Sequence, residues 1–307
     1  MTTPTPASEL LAGMHGPQQD IVRAISASQA GWKEGSRVLT EGRKTMSEQL
    51  TAFDRYPELQ RLRGLVPEDV VEREVRQKAP AFDEYSALAR TRISTVKLCE
   101  VFPAELERGR IVLENFLGQW GNVTVEEVCK ICLIARYLRP KAVFEFGTFN
   151  GSTTLQMAMN APEDCRVYTL DLPPGEGEST TFHLSEIDRF VAAKKGGFQL
   201  HVGHYFRGTP YESRIAQLWG DSARFDFSPY RGKTDLIFID GAHSYEYVKS
   251  DSQNAFAMLA GQGVILWHNF SEVLWPGVLR YLCELSEHQK VYHLRNTHLA
   301  VYYRPGR

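Results

Sequence analysis

The side chains of this chain that could do chemistry recur at one kind of place, an acid or a glycine directly after a short apolar run. Glu145-Phe-Gly147-Thr148-Phe-Asn-Gly151-Ser152 follows the run from Ala142 to Phe146. Asp171 ends Arg166-Val-Tyr-Thr-Leu, Asp221 and Ser222 follow Ile215-Ala-Gln-Leu-Trp-Gly, and Asp240 ends Asp235-Leu-Ile-Phe-Ile. Each run has the length and the apolar, β-branched or aromatic composition of a strand. Asp240-Gly-Ala-His243 sets an imidazole three positions after an acid, and an imidazole, with an unperturbed pKa of about 6.5, suits proton abstraction near neutral pH. His268 and Asn269 close a fifth run, Gly263-Val-Ile-Leu-Trp.

Spacing around the glycines separates the possible ligands. Gly147 lets the chain reverse at the end of its strand, and Gly151 lets helix backbone approach a ligand without a Cβ in the way. Ser152 then offers a hydroxyl to the orphan amides of a helix running through Gln156 onward. A dinucleotide site needs G-x-G-x-x-G with pyrophosphate on the helix N-terminus. Here the pattern is acid-x-G-x-x-x-G, and Glu145 would repel a pyrophosphate. A carboxylate there suits a cationic ligand, such as the sulfonium and amino group of S-adenosylmethionine. Asp171, about 20 residues past the turn, stands where a carboxylate takes both ribose hydroxyls, and Asp221 where an acid reaches an adenine edge.

Through Phe-Glu-Phe-Gly-Thr-Phe-Asn-Gly, Gly-Asp-Ser and Ile-Asp-Gly-Ala-His-Ser-Tyr, the chain resembles the class I S-adenosylmethionine-dependent methyltransferases. The resemblance is closer to the small-molecule O-methyltransferase branch that includes catechol-type and macrolide-sugar enzymes, and covers about residues 115 to 304. It implies an α/β fold, a Rossmann-like, doubly wound, mostly parallel seven-stranded sheet. The segments Val291 to Leu294 and Leu299 to Tyr303 would form its terminal antiparallel hairpin. It implies that Glu145, Gly147, Thr148, Gly151 and Ser152 surround the methionine part of the cofactor, Asp171 the ribose and Asp221 or Ser222 the adenine, with Asp240 beside the cofactor and the acceptor. In the catechol-type branch a lysine at the offset of His243 is the base, which gives His243 that role. Metal-dependent relatives hold Mg²⁺ with an acid after the fourth strand and an acid pair, or acid plus Asn, after the fifth. Asp240 and Asn269 match, but His268 replaces an acid. Mg²⁺ prefers oxygen ligands, so Asp240, His268 and Asn269 would better suit a borderline transition metal, or leave His268 as a second acid/base group.

The elements that must position these residues divide the chain in two. Residues 1–120 read as a mostly helical extension with a loose start through about Pro6 and breaks at Pro57, Pro67, Pro80 and Pro103. It would serve as an oligomerisation platform, giving a dimer, as a lid on the acceptor pocket, or as both. Residues 121–307 read as the methyltransferase domain, opened by a capping box at Thr124 and Glu127. The stretch from Leu172 to Arg214 is a second candidate pocket wall. In the helical run from Tyr245, Tyr247 reads as core, with Lys249 and Asp251 on the solvated face. Phe270 and Trp275 are pocket candidates, and Arg207 and Arg214 candidates for an anionic acceptor.

Composition sets outer limits. A chain of 307 residues with 43% hydrophobic content can bury a large core, and a net charge of -2 gives no reason to expect nucleic acid or an anionic membrane as partner. No apolar run reaches spanning length and the N-terminus lacks the regions of a secretory signal, so the cytoplasm is the expected compartment. Five cysteines have no disulfide-scaffold spacing, and Cys129-Lys-Ile-Cys132 sits in a helical apolar pattern that reads as a buried face. The expected activity is methyl transfer to a hydroxyl of a small metabolite or sugar, as in natural-product or polysaccharide biosynthesis. An N-methyltransferase of a small amine, a cofactor-binding protein without catalysis and a dinucleotide oxidoreductase are the competing readings.

Overall fold

The computed structural model describes residues 51–116, 122–177, 179–194 and 201–306. The expected loose start and the helical reading of residues 1–50 lie outside them. The chain divides into two compact units, Met1–Arg55 and Tyr56–Arg307. Of the first, the described part is a helical turn, Ala52–Arg55, where the Thr51 amide donates to Asp54 and the Asp54 amide donates to the Thr51 hydroxyl.

The second unit is built on eight strands: β1 (Ser94–Val96), β2 (Ala142–Phe146), β3 (Arg166–Asp171), β4 (Ile215–Trp219), β5 (Thr234–Ile239), β6 (Leu259–Trp267), β7 (Tyr292–Leu294) and β8 (Ala300–Arg304). Their order across the sheet is β1-β7-β8-β6-β5-β2-β3-β4. All pairings are parallel except those of β8 with β6 and β7. The terminal hairpin is therefore present, and the sheet gains an eighth strand. β1 has three residues, two of them exposed, too short for an alternating pattern to announce it. Central strands are covered on both faces and so carry continuous apolar runs. Val143, Phe144, Leu236, Ile237, Phe238, Val264, Ile265 and Leu266 are all fully buried, each contributing roughly 2 kcal/mol of hydrophobic stabilisation.

The main helices are α1 (Glu68–Arg92), α2 (Leu98–Val101), α3 (Val125–Leu138), α4 (Ser152–Asn160), α5 (Glu186–Lys194), α6 (Tyr245–Met258) and α7 (Pro276–Leu285). α3 starts at the capping box: the Glu127 amide donates to the Thr124 hydroxyl at 3.3 Å and the Thr124 amide to the Glu127 carboxylate at 2.7 Å. Arg139, in the left-handed region at φ 48°, ends it before Pro140. Cys132 is buried in this helix, as its apolar pattern required. The expected break at Pro80 does not occur, and α1 runs through it. Pro80 is exposed, so water can serve the carbonyl that loses its amide partner. Contacts with α7, including the Cys283 thiol donating to the Tyr85 carbonyl and Arg92 donating to the Cys283 carbonyl, hold the C-terminal half.

Chain order reverses at β2, whose neighbours β3 and β5 lead away on opposite sides. The crevice beyond the carboxyl ends of β2 and β5 is the switch point where open α/β sheets bind ligands. Among the described residues no helix is long and apolar enough to cross a membrane.

Candidate active site

Backbone hydrogen bonds bring the strand ends to one level. The Gly147 amide donates to Leu170, Asp240 to Phe146, His268 to Ile239 and Gly220 to Asp171, at 2.8 to 3.1 Å. Gly147 has φ 91°, and a Cβ there would stand 2.1 Å from the Asp240 carbonyl oxygen. Only glycine allows the two turns to meet. Gly151, at φ 81°, is required for a different reason than the sequence suggested: its missing Cβ makes room for Phe206 at 2.6 Å and Gly203 at 2.8 Å. Ser152 does not cap α4. Gly151 is the N-cap, Asn150 accepts from the Ser152 amide, and the buried Ser152 hydroxyl has no hydrogen-bond partner among the described residues.

A cavity occupies the crevice. Gly147, Asp171, Asp221, Ser222, Asp240, His243, His268 and Asn269 all line it, joined by Asp188, Tyr247, Asp251 and Trp275. Glu145, Thr148, Gly151 and Ser152 do not. Glu145 is 1% exposed and turned inward, where it accepts from the Thr154 and Thr169 hydroxyls. Burial pushes its pKa up to about 8, and the two hydroxyls offset only part of that. Thr148 shares a 2.7 Å hydrogen bond with Thr169 and accepts from Gln217.

Asp171 accepts from the Phe149 and Leu172 amides, each at 2.8 Å, fixing the β2 and β3 turns together. Asp221 accepts from the Thr181 amide and hydroxyl, the Ala223 amide and the Tyr247 hydroxyl. Burial opposes its charged form, but these donors hold the carboxyl below its ordinary value. Asp251, expected on a solvated face, is 0% exposed. The 3.6-residue period turns it inward with Tyr247 and Val248, both buried. Its carboxylate oxygens lack a hydrogen-bond partner among the described residues. Burial pushes its pKa to about 7; the nearby Ser222 hydroxyl offsets part of the rise, and the Asp221 charge adds to it.

Acids and imidazoles alternate along the floor. His243 Nδ1 lies 2.8 Å from Asp188 Oδ1, and its Nε2 lies 2.9 Å from Asn269 Oδ1 and 3.8 Å from Asp240 Oδ1. Trp275 stacks on the ring at 4.0 Å between centroids. Burial works against an imidazolium here, but Asp188 and then Asp240 outweigh it and raise His243 to about 9. His268 is 2% exposed, with Nδ1 3.0 Å from Asp240 Oδ1 and Nε2 3.3 Å from Glu127 Oε2. Against the cost of burial, those two carboxylates hold it well above the usual histidine range. Burial likewise opposes ionisation of Asp240 and Glu127, yet His268 beside them keeps both below the usual carboxylate range.

His243 and Trp275 also line a second cavity, walled by Glu74 and Lys78 of α1 and by His183, Glu186 and Arg189. Lys78 stands 4.9 Å over the Trp275 ring and pairs with Glu74. Of the Leu172–Arg214 stretch, Leu172 and residues between His183 and Ala192, most of them in α5, line the two cavities. Phe270 is not a wall: it is 5% exposed and packs against His293. Arg214 donates to the Pro162 and Ala158 carbonyls at the end of α4 and is committed to structure.

Sequence reading missed Asp188 and Glu127. Ser185 and Asp188 bond each other as a helix cap does, and Glu127 completes the box on Thr124, so each acid carries a local signal that hides a distant partner. The expected metal set is not assembled as a cage. Both ring nitrogens of His268 face carboxylates, and Asn269 Oδ1 faces His243. Among the described residues no group of three or more His, Cys, Asp or Glu is placed to hold a metal ion.

Comparison with known proteins gives one family match and several distant structural likenesses. A family described as a methyltransferase domain matches residues 144–270. No curated protein matches the chain. Among solved structures, the chain is similar to the S-adenosylhomocysteine-bound methyltransferase PaMTH1 of Podospora anserina, with 17% identity over 73% of this chain and 95% of that one and a TM-score of 0.43. A methyltransferase from Geobacter sulfurreducens is 17% identical over 61% of this chain and 82% of its own, with a TM-score of 0.41. The O-methyltransferase TomG of Streptomyces achromogenes is 16% identical over 74% and 90%, with a TM-score of 0.40. With its switch-point crevice, its glycine turn and its strand-end acids, the chain resembles the class I S-adenosylmethionine-dependent methyltransferases, and its residues 144–270 match a methyltransferase domain.

Proposed function

We propose that this methyltransferase acts on a hydroxyl of a small metabolite or sugar, with His243 as the base. The observation that carries the proposal is the place of His243: it lines both cavities, and Asp188 grips its Nδ1. An acid on Nδ1 fixes the tautomer and presents Nε2 to the acceptor.

The crevice fits the cofactor on its own polar groups. Asp171 offers a carboxylate for a ribose diol, and the unpartnered Asp251 carboxyl and Ser222 offer polar atoms to a purine edge. When bound, S-adenosylmethionine supplies an electrophilic methyl group. Asn269 and Asp240 would orient the acceptor oxygen beside Nε2, and His243 would take its proton as the oxygen forms its bond to carbon. His243 must first be neutral, and a sulfonium charge nearby favours that by lowering its pKa. Trp275 covers the ring and keeps water from it. α1 supplies Glu74 and Lys78 to the second cavity, which supports the lid reading of the helical half.

The test is calorimetric titration with S-adenosylhomocysteine followed by product analysis over a panel of hydroxylated and amine acceptors. Cofactor binding with methylated hydroxyl products is the expected outcome. Methylation of amines alone would favour the N-methyltransferase reading, and binding without turnover of any acceptor a non-catalytic one.

A further inference from the structure

We infer that the His268 ring itself fills the place a divalent ion takes in metal-assisted methyl transfer, and that this chain holds no metal there. The inference rests on the methyltransferase reading and concerns how that site is completed. An imidazole binds a metal through a nitrogen lone pair that faces the ion. In His268 both nitrogens face carboxylates, Asp240 at 3.0 Å and Glu127 at 3.3 Å, and the side chain is 1% exposed. Turning the ring toward a metal would break both contacts and leave the buried Glu127 and the partly buried Asp240 without the imidazole between them, which disfavours the turn.

The neighbouring donors are committed in the same way. Asn269 Oδ1 lies 2.9 Å from His243 Nε2, and its amide nitrogen donates to Glu272 at 3.0 Å, so its oxygen cannot serve an ion without losing the histidine. Asp240 Oδ1 is the oxygen on His268. Glu127 accepts from the Thr124 amide at 2.7 Å and the His298 amide at 2.6 Å, which hold it beneath the ring. A hard cation takes six or so oxygen ligands, and this side of the crevice leaves little beyond one oxygen of Asp240. The ring does structurally what an ion would do. It sits between two acids from distant elements, α3 and the β5 turn, and locks them in register with the strand ends.

Electron paramagnetic resonance of Mn²⁺ titrated into the chelator-treated full chain, alongside S-adenosylhomocysteine calorimetry on the same sample, tests this. The wild type is expected to bind the homocysteine cofactor product while leaving the Mn²⁺ signal free. His268→Asp restores an acid beside Asn269, and His268→Ala opens the space between Asp240 and Glu127. Each should tighten Mn²⁺ binding by about tenfold or more, the scale on which metal-site surroundings act. Stoichiometric Mn²⁺ uptake by the wild type, lost in Asp240→Asn, would overturn the inference, as would folded variants at His268 that gain no Mn²⁺. If one variant fails to fold, the wild-type titration and the other variant still decide. Absence of S-adenosylhomocysteine binding in a folded sample would instead bring down the methyltransferase reading.

Discussion

His243 and His268 are both held between acids on the floor of one crevice, yet their surroundings differ in access. The His243 side chain is 16% exposed, touches two cavities and presents Nε2 to an amide oxygen that a substrate could displace. The His268 side chain is 1% exposed, and both of its nitrogens are spent on carboxylates. Charge alone does not separate them, since nearby acids raise both. Access does: a proton can reach and leave the first ring, whereas the second can only hold its neighbours in place.

The sharpest way to break this comparison is to remove each ring's function and see what is lost. His243→Ala should lower kcat by about 10²- to 10⁴-fold, the usual worth of a positioned base, with S-adenosylhomocysteine affinity unchanged. Unaltered turnover would end its assignment as base. Glu127→Gln should act on the fold instead. Unpairing one member of a buried ion pair costs about 3–5 kcal/mol, which would appear as a lowered denaturant midpoint.

Asp251 provides a control, a buried acid with no imidazole beside it. Its ordinary pKa of 3.8 rises to about 7 in the folded chain. The unfolded chain therefore loses this proton first, and the stability attached to it is lost as pH rises from 3.8 to 7. Asp251→Asn should abolish that slope, gaining on the order of 2–4 kcal/mol at pH 8 and nothing at pH 3.5 in the absence of ligand. Thermal melts of both proteins across this range would show it, and parallel melting curves at all pH values would contradict it. Finally, Asp188→Asn sharpens the description of His243. Activity of the wild type should climb with pH toward about 9 in the limb set by His243. Removing the Asp188 charge should move that limb to lower pH and reduce the plateau by about tenfold through loss of ring orientation. A pH–rate profile that does not move would detach Asp188 from the base.

Legibility followed the range of each signal. The glycine turn at Gly147 was readable because a strand running into a reversal needs a positive φ within a few residues. The capping box at Thr124 and Glu127 was readable for a similar reason, since its hydrogen bonds span three residues. Periodicity fails at Asp251, a polar residue whose helical turn faces the crevice rather than solvent. It fails too at Pro80, where packing against α7 carries the helix through a residue that usually stops one. Glu145 carried the right strand-end signal, but Thr154 and Thr169 claim it for the interior.

By itself the sequence determined the strand series, the turns that end the strands and the set of acids that those turns display, because short-range sterics and burial of apolar runs act within each segment. Only the tertiary structure decided which acid meets which imidazole. Asp188 reaches His243 across 55 residues and Glu127 reaches His268 across 141. Electrostatic partnership depends on distance in space and on exclusion of water. Neither is written into local spacing, so the different surroundings of the two histidines emerge only where α3 and α5 meet the strand ends.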